Sequence, residues 1–262
     1  MITLISPAKK LDETRVQNPI APTEPALFNQ TKILARAAKT KSADDLKKLM
    51  NISDDLATLN ADRYRSFRLN GRSNSAKPAA LTFNGDVYLG LDAKSLTKAQ
   101  MKYAQDHLRI LSGLYGILKP MDIIQPYRLE MGVRMENPRG KNLYEFWGNR
   151  ISKSIMADLA DDKTKAVVNL ASNEYFKAVD KKTLTVPVIT PSFLNVKDGK
   201  ARALMFFGKR ARGLMARWII ENKVENIEDL NEFQAEGYKF NKKLSEGHKL
   251  VFTRKQPPPV NG

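Results

Sequence analysis

The 262-residue chain carries 44 Lys and Arg against 28 Asp and Glu, a formal charge of +16, with 42% apolar and 27% charged residues and no cysteine. This composition is globular rather than disordered. It excludes disulfides, thiolate catalysis, cysteine-held zinc or iron–sulfur centres and thiol redox switching. A strongly basic total points to a polyanionic partner and says nothing about fold.

Ile2–Ile5 reads as a short buried strand running into Ser6-Pro7-Ala8-Lys9. No basic region precedes it, so the start of the chain does not read as a secretory signal. No apolar run reaches the ~18 residues of a membrane span, so the expected compartment is the cytoplasm with no membrane partner. Gln17–Pro25, with three prolines, reads as extended loop. Ala26–Lys39 and Ala43–Met50 read as helices. Ser53 looks like an N-cap, with Asp54 and Asp55 placed for the helix dipole and Ala61–Phe67 continuing the helix. Ala79–Leu81 and Val87–Leu89 read as strands, and Thr97 with Gln100 forms a capping box opening a helix to about Arg109.

Residues 110–140 are rich in Gly and Pro and predict short strands and turns. Asn142–Leu159 predicts one helix, Ala166–Leu170 a buried strand, and Ser172 the cap of a following helix. Thr185–Ile189 and Ser192–Val196 read as strands, with Asp198-Gly199 turning into a strand at Ala201–Phe207. A helix follows from about Lys209 to Asn222, then short strands near Tyr238 and Val251. The interleaving predicts a mixed α/β (α+β) fold, one compact domain over residues 1–255, with a frayed Pro-rich tail at residues 256–262.

Charge is concentrated in two places. Arg63, Arg65, Arg68, Arg72 and Lys77 form an acid-free run, and Lys197, Lys200, Arg202, Lys209, Arg210, Arg212 and Arg217 stand against Asp198 alone. Acids from Glu221 to Glu236 follow, so the signs are segregated and can make a directional patch. On the late helix, Ala211, Leu214, Met215, Trp218 and Ile219 make the stripe of a buried face. Lys209, Arg210 and Arg212 in its expected first turn oppose the dipole, which predicts an anion bound at that helix start.

Leu46–Tyr64 reads as two helices around Met50-Asn51-Ile52-Ser53 and resembles a helix-hairpin-helix, whose loop amides meet DNA phosphates. Asn51 and Ser53 occupy places usually held by glycine, and Asp54 and Asp55 lie close by, so an ordinary αα-hairpin is the competing reading. The block His107–Gly132 has Gly113, Gly116, Pro120 and Pro126 at its turns and places Tyr115, Tyr127 and Arg128 to line a cleft. It holds no dinucleotide, phosphate-loop or serine-elbow signature. His107 reads as a hydrogen-bonded structural histidine, and Glu130 with Glu174 as a possible acid and base.

Six motifs now carry a specific likeness: Ser6-Pro7-Ala8-Lys9, Phe83–Leu91, His107–Gly132, Leu143–Gly148, Asn169–Phe176 and Lys209–Asn222. The sequence resembles the peroxide stress protein YaaA family over nearly its whole length. The resemblance implies a mixed α/β domain of its own architecture, with a helix-hairpin-helix-like element and a positively charged cleft. It also implies double-stranded DNA binding, protection against hydrogen peroxide and restraint of free iron. Without cysteine, any peroxide role runs outside thiol oxidation in this chain.

The resulting expectation is a cytoplasmic oxidative-stress protein that binds duplex DNA through phosphates with little sequence preference. Asn51, Ser53, Arg63, Arg65, Arg68, Arg72, Lys209, Arg210, Arg212 and Arg217 are its contacts. The alternative is an enzyme acting on a nucleotide or other anionic substrate in a basic cleft of Lys9, Tyr127, Arg128, Asn173 and Glu174. No cofactor and no metal site are expected, because no carboxylate and histidine cluster has ligand spacing.

Overall fold

The computed structural model describes residues 1–14 and 19–258; part of the Gln17–Pro25 loop and the end of the tail lie outside these. Strand β1 (Ile2–Ile5) is wholly buried. Four consecutive apolar or β-branched residues suit a strand covered on both faces. It is the middle of a five-stranded sheet, ordered β4 (Gly116–Leu118), β3 (Leu108–Ser112), β1, β6 (Val167–Asn169), β7 (Val188–Ile189). β1 runs parallel to β3 and β6, with Leu4 opposite Arg109 on one side and Asn169 on the other. Only β4 runs antiparallel, as a hairpin with β3. Together with its helices this is one α/β fold.

Helix α1 (Phe28–Lys39), α2 (Ala43–Met50) and α3 (Asp54–Ser66) precede β3. Ser42 opens α2 with a full capping box, and Asn51 closes it in the left-handed conformation. A two-stranded pair, β2 (Lys77–Pro78) with β5 (Ile123–Ile124), lies apart from the main sheet. The predicted capping box at Thr97 and Gln100 is present and starts α6 (Lys98–His107). A second, four-stranded sheet is ordered β10 (Lys239–Phe240), β11 (Val251–Lys255), β8 (Ser192–Lys197), β9 (Lys200–Arg202). Its inner face stacks Phe193 on Phe252, with Phe233 and Tyr238 edge-on to Phe193.

Three expectations are corrected. The strands predicted at Ala79–Leu81 and Val87–Leu89 are short helices, α4 (Ala79–Thr82) and α5 (Asp86–Leu91). A short apolar run looks alike in a buried helix and a buried strand. The helix predicted over Asn142–Leu159 is two, α7 (Leu143–Trp147) and α8 (Arg150–Asp158), because Gly148 between them has a φ of +49°. Strand β9 ends at Arg202 and helix α10 (Met205–Asn222) begins four residues earlier than expected. The apolar run Met205-Phe206-Phe207 disguises that start as strand.

Candidate functional site

The parallel strands put three loops side by side. β1 delivers Ser6-Pro7-Ala8-Lys9, β3 delivers Gly113, and β6 delivers Ala171–Tyr175, all at carboxyl ends. The chain passes from β1 to β3 on one side and returns to β6 on the other, so this edge is a topological switch point, where open α/β sheets bind ligands. Ser6 ties two of the loops: its Oγ accepts from the Ser172 backbone N–H at 2.8 Å. Ser172 is the N-cap residue of α9 (Asn173–Phe176), as the sequence predicts, but its side chain makes no capping bond. Tyr88 Oη donates to the Ser6 carbonyl at 3.1 Å, and Tyr64 Oη to the Arg128 carbonyl at 2.7 Å. Each phenol fixes one wall of the cleft.

Lys9 and Arg128, far apart in sequence, converge on Glu130. Lys9 Nζ is 3.2 Å from Oε1, Arg128 Nη2 is 3.0 Å and Nε 3.2 Å from the same oxygen. Glu130 Oε2 is buried and has no hydrogen-bond partner among the described residues. Lys9, Tyr127, Arg128, Glu130 and Tyr175 surround a cavity of about 10 Å³. Burial, reinforced by the nearby Glu130 charge, holds the hydroxyls of Tyr64, Tyr127 and Tyr175 well above the ordinary phenol range, so they stand as neutral donors. Tyr127 shares a 2.6 Å hydrogen bond with Ser112. Glu174 accepts from the Gly132 N–H at 3.0 Å, and Asn173 is exposed beside it. The sequence names Lys9, Tyr127, Arg128, Glu130, Asn173 and Glu174 of this group and pairs Glu130 with Glu174. The structure sets Glu130 between two cations instead, a contact that no spacing reveals.

The basic residues fall into two kinds. Arg63 pairs with Glu13, Arg65 with Asp62 at 2.6 Å, and Arg210 with Glu236 at 2.6 Å. Arg217 is held by Glu221 at 2.8 Å and by the carbonyls of Leu91 and Asp92. Lys77 is buried, its ammonium donating to the Asp12 and Thr14 carbonyls at 2.7 and 2.8 Å. Arg68, Arg72, Lys209 and Arg212 have no carboxylate within salt-bridge distance among the described residues. Arg68 and Arg72 border an open concavity of about 730 Å³, whose other walls include Ser66, Ser73, Asn74 and Ser75 and no acid.

Two further placements bear on the anion sites the sequence proposes. In the α2–α3 turn, Ser53 accepts from the Leu56 N–H at 3.4 Å, so it caps its own helix, and Asn51 supplies the left-handed turn. On α10, Lys209 and Arg212 lie in the second turn, not at the free amides of the first. Their expected place in the first turn is thereby corrected. Arg212 is half-buried, which pulls its guanidinium down from its ordinary value, with no charged neighbour opposing that shift. His107 is structural: Nδ1 lies 3.1 Å from the Met1 carbonyl and the ring stacks on Tyr103. Among the described residues no three His, Asp or Glu side chains gather as a metal would require, and no helix is long and apolar enough to cross a membrane.

Comparison with known proteins agrees over the length of the chain. It is 50% identical over 256 residues to a UPF0246 protein of Saccharophagus degradans, covering 98% of this chain and all of the relative. It is 47% identical over 254 residues to a UPF0246 protein of Idiomarina loihiensis, covering 97% and 98% of the two chains. A UPF0246 protein of Phenylobacterium zucineum is 47% identical over 261 residues, covering 99% of this chain and 97% of its own. The family described as peroxide stress protein YaaA matches residues 1–244. The chain therefore belongs to the peroxide stress protein YaaA family.

Proposed function

We propose that this peroxide stress protein acts in the cytoplasm by holding duplex DNA through its phosphates, with little sequence preference. One observation carries the reading: the concavity of Arg68 and Arg72 is lined by neutral donors and by no carboxylate. Guanidinium forks match phosphate oxygens in pairs, and hydroxyl and amide donors complete backbone contacts without reading bases. The net charge of +16 adds long-range attraction. Each phosphate neutralised releases cations condensed on the duplex. A link to iron would then lie in clearing metal from the DNA surface.

The test is a salt titration of binding to random-sequence duplex. The slope of log K against log salt should be about −0.9 per phosphate contacted. Replacing both Arg68 and Arg72 by Ala should make it shallower by roughly 1.8, two contacts' worth. An affinity independent of salt, or a double variant with the parental slope, would overturn the reading.

A second reading is favoured by the convergence of Lys9 and Arg128 at the switch point of the sheet. There the protein would take a small anionic substrate. Inorganic pyrophosphate tests it: binding that depends on Lys9 supports the reading, and no binding removes it.

A further inference from the structure

The ion cluster at the carboxyl end of β1 is lopsided. Lys9 and Arg128 both address Glu130 Oε1, while Oε2 is buried without a partner among the described residues. An ionised carboxylate accepts at both oxygens. A ligand N–H or O–H arriving at Oε2 would repair a buried acceptor that the protein itself leaves open.

The half-open hollow beside Glu130 has room of about 10 Å³, enough for one small polar group such as the edge of a larger ligand. Lys9 lines its rim with a side chain that is 67% exposed, whereas that of Glu130 is 13% exposed. An ion pair with one partner in solvent is cheap to part, so Lys9 can leave Oε1 and open the cleft. Tyr127 and Tyr175 form aromatic walls whose hydroxyls stay neutral and so bring no negative charge against a phosphate.

We infer that this is a nucleotide site: Glu130 Oε2 accepts from the N–H edge of a base, and Lys9, released from Oε1, pairs with its phosphate. A carboxylate is the acceptor that suits the amino edge of cytosine or guanine. Lysine is a point charge suited to phosphate, and aromatic walls suit a base. Arg128 stays on Oε1 and keeps the carboxylate aimed. The inference rests on the second reading above and is independent of duplex binding through Arg68 and Arg72. The same nucleotide chemistry can come free or at a strand end, and the experiment separates the two.

Calorimetric titration of the full chain with CMP and GMP, their nucleosides and inorganic pyrophosphate tests it. Glu130→Gln, nearly isosteric, should weaken nucleotides and nucleosides alike at least tenfold. Lys9→Ala should weaken the monophosphates about tenfold and leave the nucleosides unchanged. In the parent protein, saturating CMP or GMP should slow acetylation of Lys9 about tenfold, a readout that needs no variant. A 5′-phosphorylated pentanucleotide binding at least tenfold tighter than the mononucleotide assigns the source to a strand end, and equal or weaker binding assigns it to the free pool. Pyrophosphate binding with no gain from any base overturns the inference and leaves the second reading standing. Absence of binding by pyrophosphate and nucleotides at millimolar concentration overturns both.

Discussion

Gly90 and Gly213 bring α5 and α10 into backbone contact. A Cβ on Gly213 would sit 1.9 Å from the Val87 carbonyl oxygen, and one on Gly90 would sit 2.3 Å from that of Arg210. These obstacles are main chain and cannot rotate aside. α5 also starts beside the cleft, where Gly85 lies against Ala8, so the crossing sets where Lys9 emerges.

Gly213→Ala should therefore destabilise the protein by about 2–3 kcal/mol, more than the ~1 kcal/mol of helix propensity the alanine would contribute. Denaturant unfolding measures it directly. A neutral or stabilising result would mean that the two helices separate readily.

Arg109 points from the central sheet towards α8. Its side chain is 3% exposed, and its guanidinium pairs with Asp158 at 2.7 Å and donates to the carbonyls of Gln105 and Leu108. Asp158→Ala strands that charge, and loss of one partner of a buried pair costs about 3–5 kcal/mol. Asp158 is partly solvated, which places the expected loss at the lower end. A melting curve compared with Asp158→Asn, which keeps an acceptor, should show the alanine variant as the less stable.

Acid should act through Asp12. Lys94 Nζ lies 2.5 Å from its Oδ2, and the Thr14 hydroxyl and N–H reach Oδ1 at 2.6 and 2.9 Å. Lys94 first, then Thr14, holds this carboxyl far below the usual carboxylate range. The folded chain then binds fewer protons than the unfolded one, so the stabilisation is fully present above the ordinary carboxylate value of about 4 and is lost progressively as pH falls from there towards the much lower folded value. Unfolding followed from about pH 6 to pH 2 should show a shallower acid slope in Asp12→Asn than in the parent.

Much of this was readable in advance where a residue acts on its own neighbours. The caps at Ser53 and Thr97, the strands Ile2–Ile5 and Ser192–Val196, and the Asp198-Gly199 turn all depend on local chemistry. Ala79–Leu81 and Val87–Leu89 misled because burial on all sides erases periodicity. The partners of the arginines were not readable at all. Arg63 meets Glu13 across fifty residues, and Lys77, which seems one more free cation in the sequence, is buried against carbonyls. A run without acids in sequence need not be one in space. The cleft group was half legible: Lys9, Tyr127 and Arg128 sit among turn-forming residues, whereas the role of Glu130 depends on the sheet order.

The same pairing predicts unequal roles for the basic residues in duplex binding. Arg63→Ala with Arg65→Ala should lower affinity for random duplex less than threefold, because Glu13 and Asp62 already neutralise those guanidinium groups. Arg68→Ala with Arg72→Ala should lower it at least tenfold at low salt. Electrophoretic mobility shifts on one duplex compare the two variants, and the reverse order would move the contact surface to α3.

Strand β1 is the first strand of its sheet to be made, and both its flanks come much later. Its neighbours are Leu108–Ile110 and Val167–Asn169, so the ribosome must release more than half the chain before the middle of the sheet has both flanks. Until then a segment that the finished fold buries completely waits unpaired, the condition under which folding is slow and nascent chains aggregate. For a protein of a peroxide stress family, newly made copies would depend on chaperones just when damaged proteins compete for them.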